Sequence, residues 1–169
     1  WLAAPAMALL SSRLPRGIVR RTVSGSDAGE FRLIARRTWR YFETFVTGDE
    51  NWLPPDNFQE DLGQVAHRTS PTNVGLYLLA VLSAREFGWI GIEETVKRLE
   101  DTVATLDRLE RFQGHFFNWY DTRSGTPLPP HYVSSVDSGN LAGHLMTLRP
   151  GLLALADDPV GDPDGARVM

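Results

Sequence analysis

The feature that most constrains this chain is an apolar stripe with helical spacing between Ile92 and Phe112. The stripe consists of Val96, Leu99, Val103, Leu106 and Leu109. Charged residues fill most of the positions between these apolar residues. Because residues three and four apart lie on the same face of an α-helix, the pattern predicts an amphipathic helix that packs one face against the rest of the fold.

Three further segments also favour helices. Apolar residues recur at helical spacing from Glu30 to Thr47. The segment from Thr72 to Phe87 is apolar on nearly every face, which predicts a helix that is buried on most sides. A last helix is expected near residue 137, where Asp137 or Ser138 can act as the N-cap. Pro150 is expected to interrupt that last helix.

Long connections alternate with very short turns between these helices. The two long loops, 48–71 and 113–136, each precede a largely apolar helix, so both could open on the same face. Runs with strand periodicity are short, and HFFNWYD in the second loop could form one small strand. The alternation predicts an all-α fold in which inner and outer helices follow one another, as in an (α/α) toroid.

Composition narrows the classes of function. The chain has 169 residues, a net charge of -4 and a sequence pI near 5.5, which gives no indication of a nucleic-acid partner. The absence of cysteine excludes disulfides and thiolate ligands. The four histidines form no HxxxH or HxH pair, and neither a GxSxG nor a P-loop motif is present. We therefore expect no metal site and no cofactor.

Both long loops combine aromatic rings with side chains that form several hydrogen bonds. The first loop carries Trp52, Asp56, Asn57, Gln59, Glu60, His67, Arg68, Ser70 and Asn73. The second loop, with the start of the next helix, carries Asn118, Trp119, Tyr120, Asp121, Ser134, Ser135, Asp137 and Asn140. Rings that stack on sugar C–H groups, beside carboxylates and amides for the hydroxyls, are typical of a carbohydrate site, and the carboxylates could add acid–base chemistry. The alternatives are solvated loops in which Asp and Asn form turns, and a plain N-cap role for Asp137.

The N-terminal stretch WLAAPAMALLSS is apolar and is followed by Arg13, Arg16, Arg20 and Arg21. It is too short to cross a bilayer, which needs about 20 residues. The order of apolar residues and then positive charges fits the tail of a transmembrane helix that emerges on the cytoplasmic side. The other reading is a hydrophobic chain end without that function.

Four long motifs carry a resemblance to a known family. RRTWRYFETFV, NWLPPDNFQED, VAHRTSPTNVGLYLL and GHFFNWYDTRSGTPLPPHYVSSVDSGNLAGHL closely resemble cyclic β-1,2-glucan synthases, over about residues 30 to 148. These are very large bacterial inner-membrane proteins that elongate a β-1,2-glucan and close it into a ring by transglycosylation. The resemblance implies the start of the central, ring-closing domain, a partial (α/α)6 toroid related to endo-β-1,2-glucanases, with its long loops on one face.

The resemblance also implies a division of the chain. Residues 1–21 would be the end of a transmembrane helix with a basic juxtamembrane segment, 22–29 a linker, 30–157 the N-terminal part of the glucan-processing domain, and 158–169 a disordered or truncated tail. The implied location is the bacterial inner membrane, with this domain on the cytoplasmic side. The implied partners are β-1,2-glucan, the remainder of the parent polypeptide and, through the N-terminal segment, the membrane.

By the same similarity, Asp137 is the residue expected to touch the reacting sugar. The main acid/base and nucleophile carboxylates are expected outside this chain, so the chain alone is expected to be inactive. The residues expected to bind substrate are Trp52, Asp56, Asn57, Glu60, Arg68, Asn118, Trp119, Tyr120, Asp121, Ser135 and Asn140. The alternative function is a non-catalytic helical module that binds carbohydrate or acts as a scaffold.

Overall fold

The computed structural model describes residues 3, 7 and 23–157. Between residues 23 and 157 the α-helices are α1 (Gly25–Phe45), α2 (Pro71–Glu86), α3 (Ile92–Arg108) and α4 (Ser135–Asp157), with a 3₁₀ helix at Gly48–Glu50. The mainly helical class predicted from the sequence is confirmed. Helix α2 begins and ends within one residue of the predicted segment. Helix α3 begins at the predicted Ile92 but ends at Arg108 rather than at Phe112.

Six two-residue strands form three antiparallel pairs within the loops. The strands are β1 (Phe58–Gln59), β2 (Gln64–Val65), β3 (Arg68–Thr69), β4 (Arg111–Phe112), β5 (His115–Phe116) and β6 (Tyr120–Asp121). β1 pairs with β2 and β4 with β5, whereas β3 pairs with β6. Because β3 lies in the first long loop and β6 in the second, this last pair joins the two loops.

Helix α1 begins earlier than the sequence predicts. It starts at Gly25 rather than at Glu30, and the Ser24 hydroxyl accepts a hydrogen bond from the Asp27 N–H at 3.1 Å. Most of the segment 22–29, predicted as a linker, is therefore helical. Contacts divide the chain into two compact units, residues 1–35 and 36–169. All the elements after α1 lie in the second unit.

Helix α2 lies at the centre of the second unit and packs against both α3 and α4. Ser70 is its N-cap, with Pro71 as the first helical residue, which is the position where proline suits a helix best. Its buried side chains include Tyr77, Leu78 and Val81. At Gly75 a Cβ atom would lie only 2.3 Å from His144 Nδ1, so α2 and α4 approach each other closely at this glycine.

The stripe that helix α3 buries overlaps the predicted one only in part: Leu99 and Leu106 are buried as predicted, and so is Leu109 just after the helix. Its buried residues are Thr95, Leu99, Thr102, Thr105 and Leu106. Val96 and Val103, which belong to the predicted stripe, are 40% and 43% exposed. The hydroxyls of Thr95 and Thr102 donate to the carbonyls of Gly91 and Arg98, both at 2.8 Å. These threonines can enter the core because their polar groups are satisfied within the helix.

Helix α4 corrects two expectations. The Ser134 hydroxyl accepts from the Asp137 N–H at 3.1 Å, so Ser134 is the N-cap, and neither Asp137 nor Ser138 is. Asp137 lies instead in the first turn of the helix. The helix also continues through Pro150 to Asp157, since a proline removes one backbone donor and packing elsewhere can outweigh that loss.

In the described residues, no helix is both long enough and apolar enough to cross a bilayer. The segment 1–21, predicted as the end of a transmembrane helix, lies outside the described residues except for positions 3 and 7. The predicted tail 158–169 also lies outside them.

Candidate functional site

The first turn of α2 contacts two carboxylates. Asn73 Nδ2 donates to Asp56 Oδ1 at 3.2 Å, and Thr72 Oγ1 donates to Asp137 Oδ1 at 2.6 Å. Asp56 comes from the first long loop, and Asp137 from the first turn of α4. Both negative charges lie beside the N-terminus of a helix, where the helix dipole and free N–H groups stabilise anions.

An arginine and a tryptophan from opposite loops meet next to Asp56. Arg68 donates to Asp56 Oδ2 through Nε at 3.2 Å and Nη2 at 3.0 Å. The guanidinium carbon of Arg68 lies 4.7 Å from the centre of the Trp119 ring, a cation–π contact. The β3–β6 pairing, in which Arg68 faces Asp121, brings the two side chains together. The Arg68 side chain is 50% exposed, so this aromatic and charged surface is open to solvent.

A buried amide connects the same tryptophan to Asp137. With its oxygen toward the aromatic residues, Asn118 accepts from Trp119 Nε1 at 2.6 Å and from the Tyr132 hydroxyl at 2.7 Å. In that orientation its Nδ2 donates to Asp137 Oδ2 at 2.9 Å. Asn140, one turn further along α4, donates to Thr72 Oγ1 at 3.2 Å. A continuous chain of contacts therefore runs from Arg68 to Asn140.

We call this group the α2 junction. It consists of Asp56, Arg68, Thr72, Asn73, Asn118, Trp119, Tyr132, Asp137 and Asn140.

The pKa of Asp137 lies below its usual value of 3.8. Partial burial by itself raises the pKa, but hydrogen bonds from Ser134, Thr72 and Ser70 to the carboxylate lower it by more. Asp137 is therefore ionised at neutral pH. In this state it can accept hydrogen bonds or stabilise positive charge, and it is poorly suited to act as a proton donor.

Several predicted site residues lie in or beside the α2 junction. Asp56, Arg68, Asn118, Trp119, Asp137 and Asn140 belong to it. Asn57 adjoins it, because its Nδ2 donates to Asp56 Oδ2 at 3.0 Å. Ser135 is exposed and is the first residue of α4, two positions before Asp137.

Tyr120 is a core residue rather than a surface contact. It is 1% exposed, its hydroxyl oxygen accepts from the Phe117 N–H at 2.7 Å, and the hydroxyl donates to the Glu110 carbonyl at 2.7 Å. Burial raises the pKa of Tyr120, although the Phe117 N–H opposes this. A ring enclosed in this way cannot stack on a sugar, so Tyr120 is removed from the predicted contacts.

Three other predicted residues have different surroundings. The Trp52 ring centre lies 5.0 Å from Lys97 Nζ, and the Trp52 carbonyl accepts from Thr102 Oγ1 at 3.0 Å, so these contacts are with α3. Asp121 accepts from the N–H groups of Arg123 and Ser124 and so closes a turn. Glu60 is exposed in the turn between β1 and β2. None of these contacts joins Trp52, Asp121 or Glu60 to the carboxylates of the α2 junction.

Thr72, Asn73 and Tyr132 are not among the residues predicted to bind substrate, although Asn73 is one of the polar side chains noted in the first loop. The structure places all three in the α2 junction. The SPTN motif could have indicated the first two, because a serine N-cap before proline leaves the next side chains at the helix start. Tyr132 gave no such signal, since its hydroxyl meets Asn118 only through the fold of the second loop.

A groove lined by side chains of α3 and α4 is separate from the α2 junction. Its volume is about 410 Å³, and it is lined by Val96, Leu99, Glu100, Val103, Ala104, Asp107 and Leu152. We call it the α3–α4 groove. Its lining has no aromatic ring and few polar groups, so it does not have the chemistry of a sugar site.

Residues 33–139 match a family described as a protein of unknown function, DUF3131. The chain belongs to this family. It is also 55% identical over 166 residues to the cyclic β-(1,2)-glucan synthase NdvB of Rhizobium meliloti (strain 1021). The match covers 98% of this chain and 6% of that protein. The resemblance to cyclic β-1,2-glucan synthases predicted from the four motifs is thus confirmed.

Solved structures with similar folds include two glycan-related proteins. A putative glucoamylase from Bacteroides fragilis has a TM-score of 0.63 at 17% identity, and the match covers 83% of this chain and 37% of the glucoamylase chain. An endo-β-1,2-glucanase from Chitinophaga pinensis has a TM-score of 0.62 at 19% identity, and the match covers 80% of this chain and 35% of the glucanase chain. At these identities the likeness concerns the fold, and this DUF3131 chain spans little more than a third of each neighbour.

Proposed function

We propose that this chain supplies glucan-binding subsites to an enzyme that cyclises, transglycosylates or cleaves β-1,2-glucan. The observation that carries the proposal is the α2 junction, where Arg68 lies against the Trp119 ring and one buried amide links Trp119 to an ionised Asp137. The 55% identity to a cyclic glucan synthase supports the choice of β-1,2-glucan. The chain forms the N-terminal part of a partial (α/α)6 toroid with its long loops on one face.

The α2 junction has the donors and acceptors that a sugar chain requires. The guanidinium of Arg68 and the amide of Asn140 are exposed and can donate to sugar hydroxyls. The partly exposed Trp119 ring provides an apolar surface for the C–H face of a glucose unit. Neighbouring side chains already hold the Trp119 ring, the Arg68 guanidinium and the Asn140 amide in place. Little side-chain entropy is therefore lost when a glucan binds.

Asp137 holds a hydroxyl of the reacting sugar or stabilises positive charge in an oxocarbenium-like transition state. Its lowered pKa keeps the carboxylate charged for this role. The principal acid/base and nucleophile carboxylates belong to the remainder of a longer polypeptide. Alone, the chain binds glucan without turnover.

The remainder of that polypeptide is also the proposed partner of the α3–α4 groove. Exposed Val96, Val103 and Leu152 form an apolar face that a further helix of the same domain covers. In the longer protein, this domain lies on the cytoplasmic side of the bacterial inner membrane.

Binding of linear β-1,2-glucan oligosaccharides to this chain tests the proposal. In NMR titrations, the indole N–H signal of Trp119 is expected to move, together with the side-chain signals of Arg68 and Asn140. Trp119→Ala is expected to abolish binding, and Trp52→Phe is the matched control because Trp52 contacts α3. β-1,3-Glucan oligosaccharides of equal length test selectivity. Binding that survives Trp119→Ala would contradict the assignment of the site.

The second candidate is a non-catalytic carbohydrate-binding or scaffolding module. It is favoured by the pairing of both carboxylates, since Asp56 is held by Arg68 and Asn73, and Asp137 by Thr72. Release of oligosaccharides or cyclic product from linear glucan by a longer protein that contains this segment separates the two. If Asp137→Asn leaves that turnover unchanged, the scaffolding function is the correct one.

A further inference from the structure

Glu50 is a buried carboxylate outside the α2 junction. It ends the 3₁₀ helix, and its side chain is only 9% exposed. Its Oε1 accepts from His67 Nδ1 at 2.8 Å and from Arg123 Nε at 3.4 Å, and its Oε2 accepts from the Thr122 hydroxyl. Both oxygens are therefore occupied by donors of the chain, as a buried charge requires.

The histidine in this group has a defined tautomer. His67 Nε2 lies 2.7 Å from Arg123 Nη2, and a guanidinium nitrogen can only donate. Nε2 is therefore the acceptor, which places the proton on Nδ1, where it points to Glu50. We call Glu50, His67, Thr122 and Arg123 the Glu50 cluster.

Hydrogen bonds to backbone carbonyls join the same segments. Asn51, which has a positive φ of 53°, donates through Nδ2 to the carbonyls of Thr122 at 2.9 Å and Arg123 at 2.7 Å. The Thr122 N–H donates to the His67 carbonyl at 3.1 Å. The segments 48–51, 67–69 and 120–123 are therefore held together by one buried charge and its neighbours.

The Glu50 cluster adjoins the Arg68–Trp119 pair along both strands. His67 directly precedes Arg68, and Thr122 directly follows Asp121, the residue that faces Arg68 across the β3–β6 pair. Arg68 and its pairing partner Asp121 are therefore each bonded directly along the chain to a member of the cluster.

We propose that Glu50 is the positioning residue for the Arg68–Trp119 pair. It acts through His67 and Thr122 and does not itself contact the glucan, because its carboxylate is enclosed. Its importance for glucan binding rests on the proposed function. The positioning itself is a property of the chain alone.

The variant Glu50→Gln tests this inference in the full chain. A glutamine amide is neutral and has one acceptor oxygen in place of two, so its contacts with His67 and Arg123 lose their charge and the contact with the Thr122 hydroxyl must reverse its direction. We expect the NMR signals of the Trp119 indole N–H and the Arg68 Nε–H to shift. We expect affinity for β-1,2-glucan oligosaccharides to fall by roughly tenfold to a hundredfold, the scale of a misplaced contact group. Asp49→Asn, at the adjacent exposed residue, makes the same charge change and is expected to leave both readouts unaltered.

Circular dichroism establishes that the variant is folded. If Glu50→Gln unfolds the chain, Thr122→Val replaces it in the test. Valine has nearly the shape of threonine but lacks the hydroxyl that donates to Glu50, so the same two signals are expected to shift. If Glu50→Gln is folded, adding Thr122→Val to it should shift the two signals little further, since both changes act on one contact.

Unchanged Trp119 and Arg68 signals in a folded Glu50→Gln variant overturn the inference. Shifted signals with wild-type glucan affinity overturn the role of the cluster in binding. If the wild-type chain binds no glucan, the proposed function fails, whereas the two signals still decide whether Glu50 positions the pair.

Discussion

The α2 junction and the α3–α4 groove are both built on helices, but their side chains are satisfied in different ways. In the junction, Asp137 and Arg68 are partly exposed and already have partners within the chain. In the groove, Val96 and Val103 are exposed on a helix whose opposite face is buried. Polar groups held in place favour the binding of a polar ligand with little loss of entropy, whereas an exposed apolar face favours packing against another element.

The comparison is tested most strongly at Asp137. In a longer synthase that contains this segment, Asp137→Asn is expected to lower cyclisation by a factor on the order of 10² or more, the scale of one well-placed electrostatic contact. Because Asp137 is not an N-cap, the change also turns an amide toward Thr72 or Asn118, at a cost of about 1–3 kcal/mol in unfolding free energy. Product analysis and urea unfolding measure the two effects. Activity within a few-fold of the parent would show that Asp137 has only a structural role.

The close approach of α2 and α4 is the next test. Gly75→Ala places a methyl group against His144 and is expected to lower the free energy of unfolding by about 1–3 kcal/mol. Gly139→Ala in α4 is the matched control, because no atom lies within 4 Å of its added Cβ. That change is expected to raise stability by about 0.4–1 kcal/mol. Equal urea midpoints for the two variants would contradict the packing described for Gly75.

Acid pH is expected to weaken the α2 junction before the groove. The folded pKa of Asp137 is lowered, so its contribution to stability is fully present above the usual value of 3.8 and is lost as pH falls through the lower, folded value. Urea unfolding at several pH values should show a smaller acid dependence for Asp137→Asn than for the wild type. A carboxyl ¹³C titration of Asp137 at or above pH 3.8 would contradict this prediction.

The smallest effect is expected in the α3–α4 groove. The double variant Val96→Lys and Val103→Lys should change the free energy of unfolding by no more than about 0.5 kcal/mol per site, because both side chains are exposed. Glucan affinity, measured by the same NMR titration, should not change, because the groove is separate from the α2 junction. Glu100→Lys controls for the added positive charge. A loss of several kcal/mol would show that the valines are buried in solution.

Much of the fold could be predicted from the sequence because its cause is local. Helices α2 and α3 follow from apolar spacing and end signals within each segment. The four long motifs identified the related glucan synthases without any knowledge of the structure. The loops are rich in polar and aromatic side chains, and six of the residues predicted to contact the glucan meet in the α2 junction.

Only the tertiary structure separated contact residues from core and support residues. Tyr120 and Trp119 are adjacent aromatic residues, but Tyr120, the first residue of β6, is buried, whereas Trp119, which precedes the strand, is partly exposed. Glu50 becomes important through His67 and Thr122, which lie far along the chain. Local patterns determine which segments become helices. Burial and hydrogen-bond partners depend instead on residues brought together from distant segments, and no local pattern specifies them.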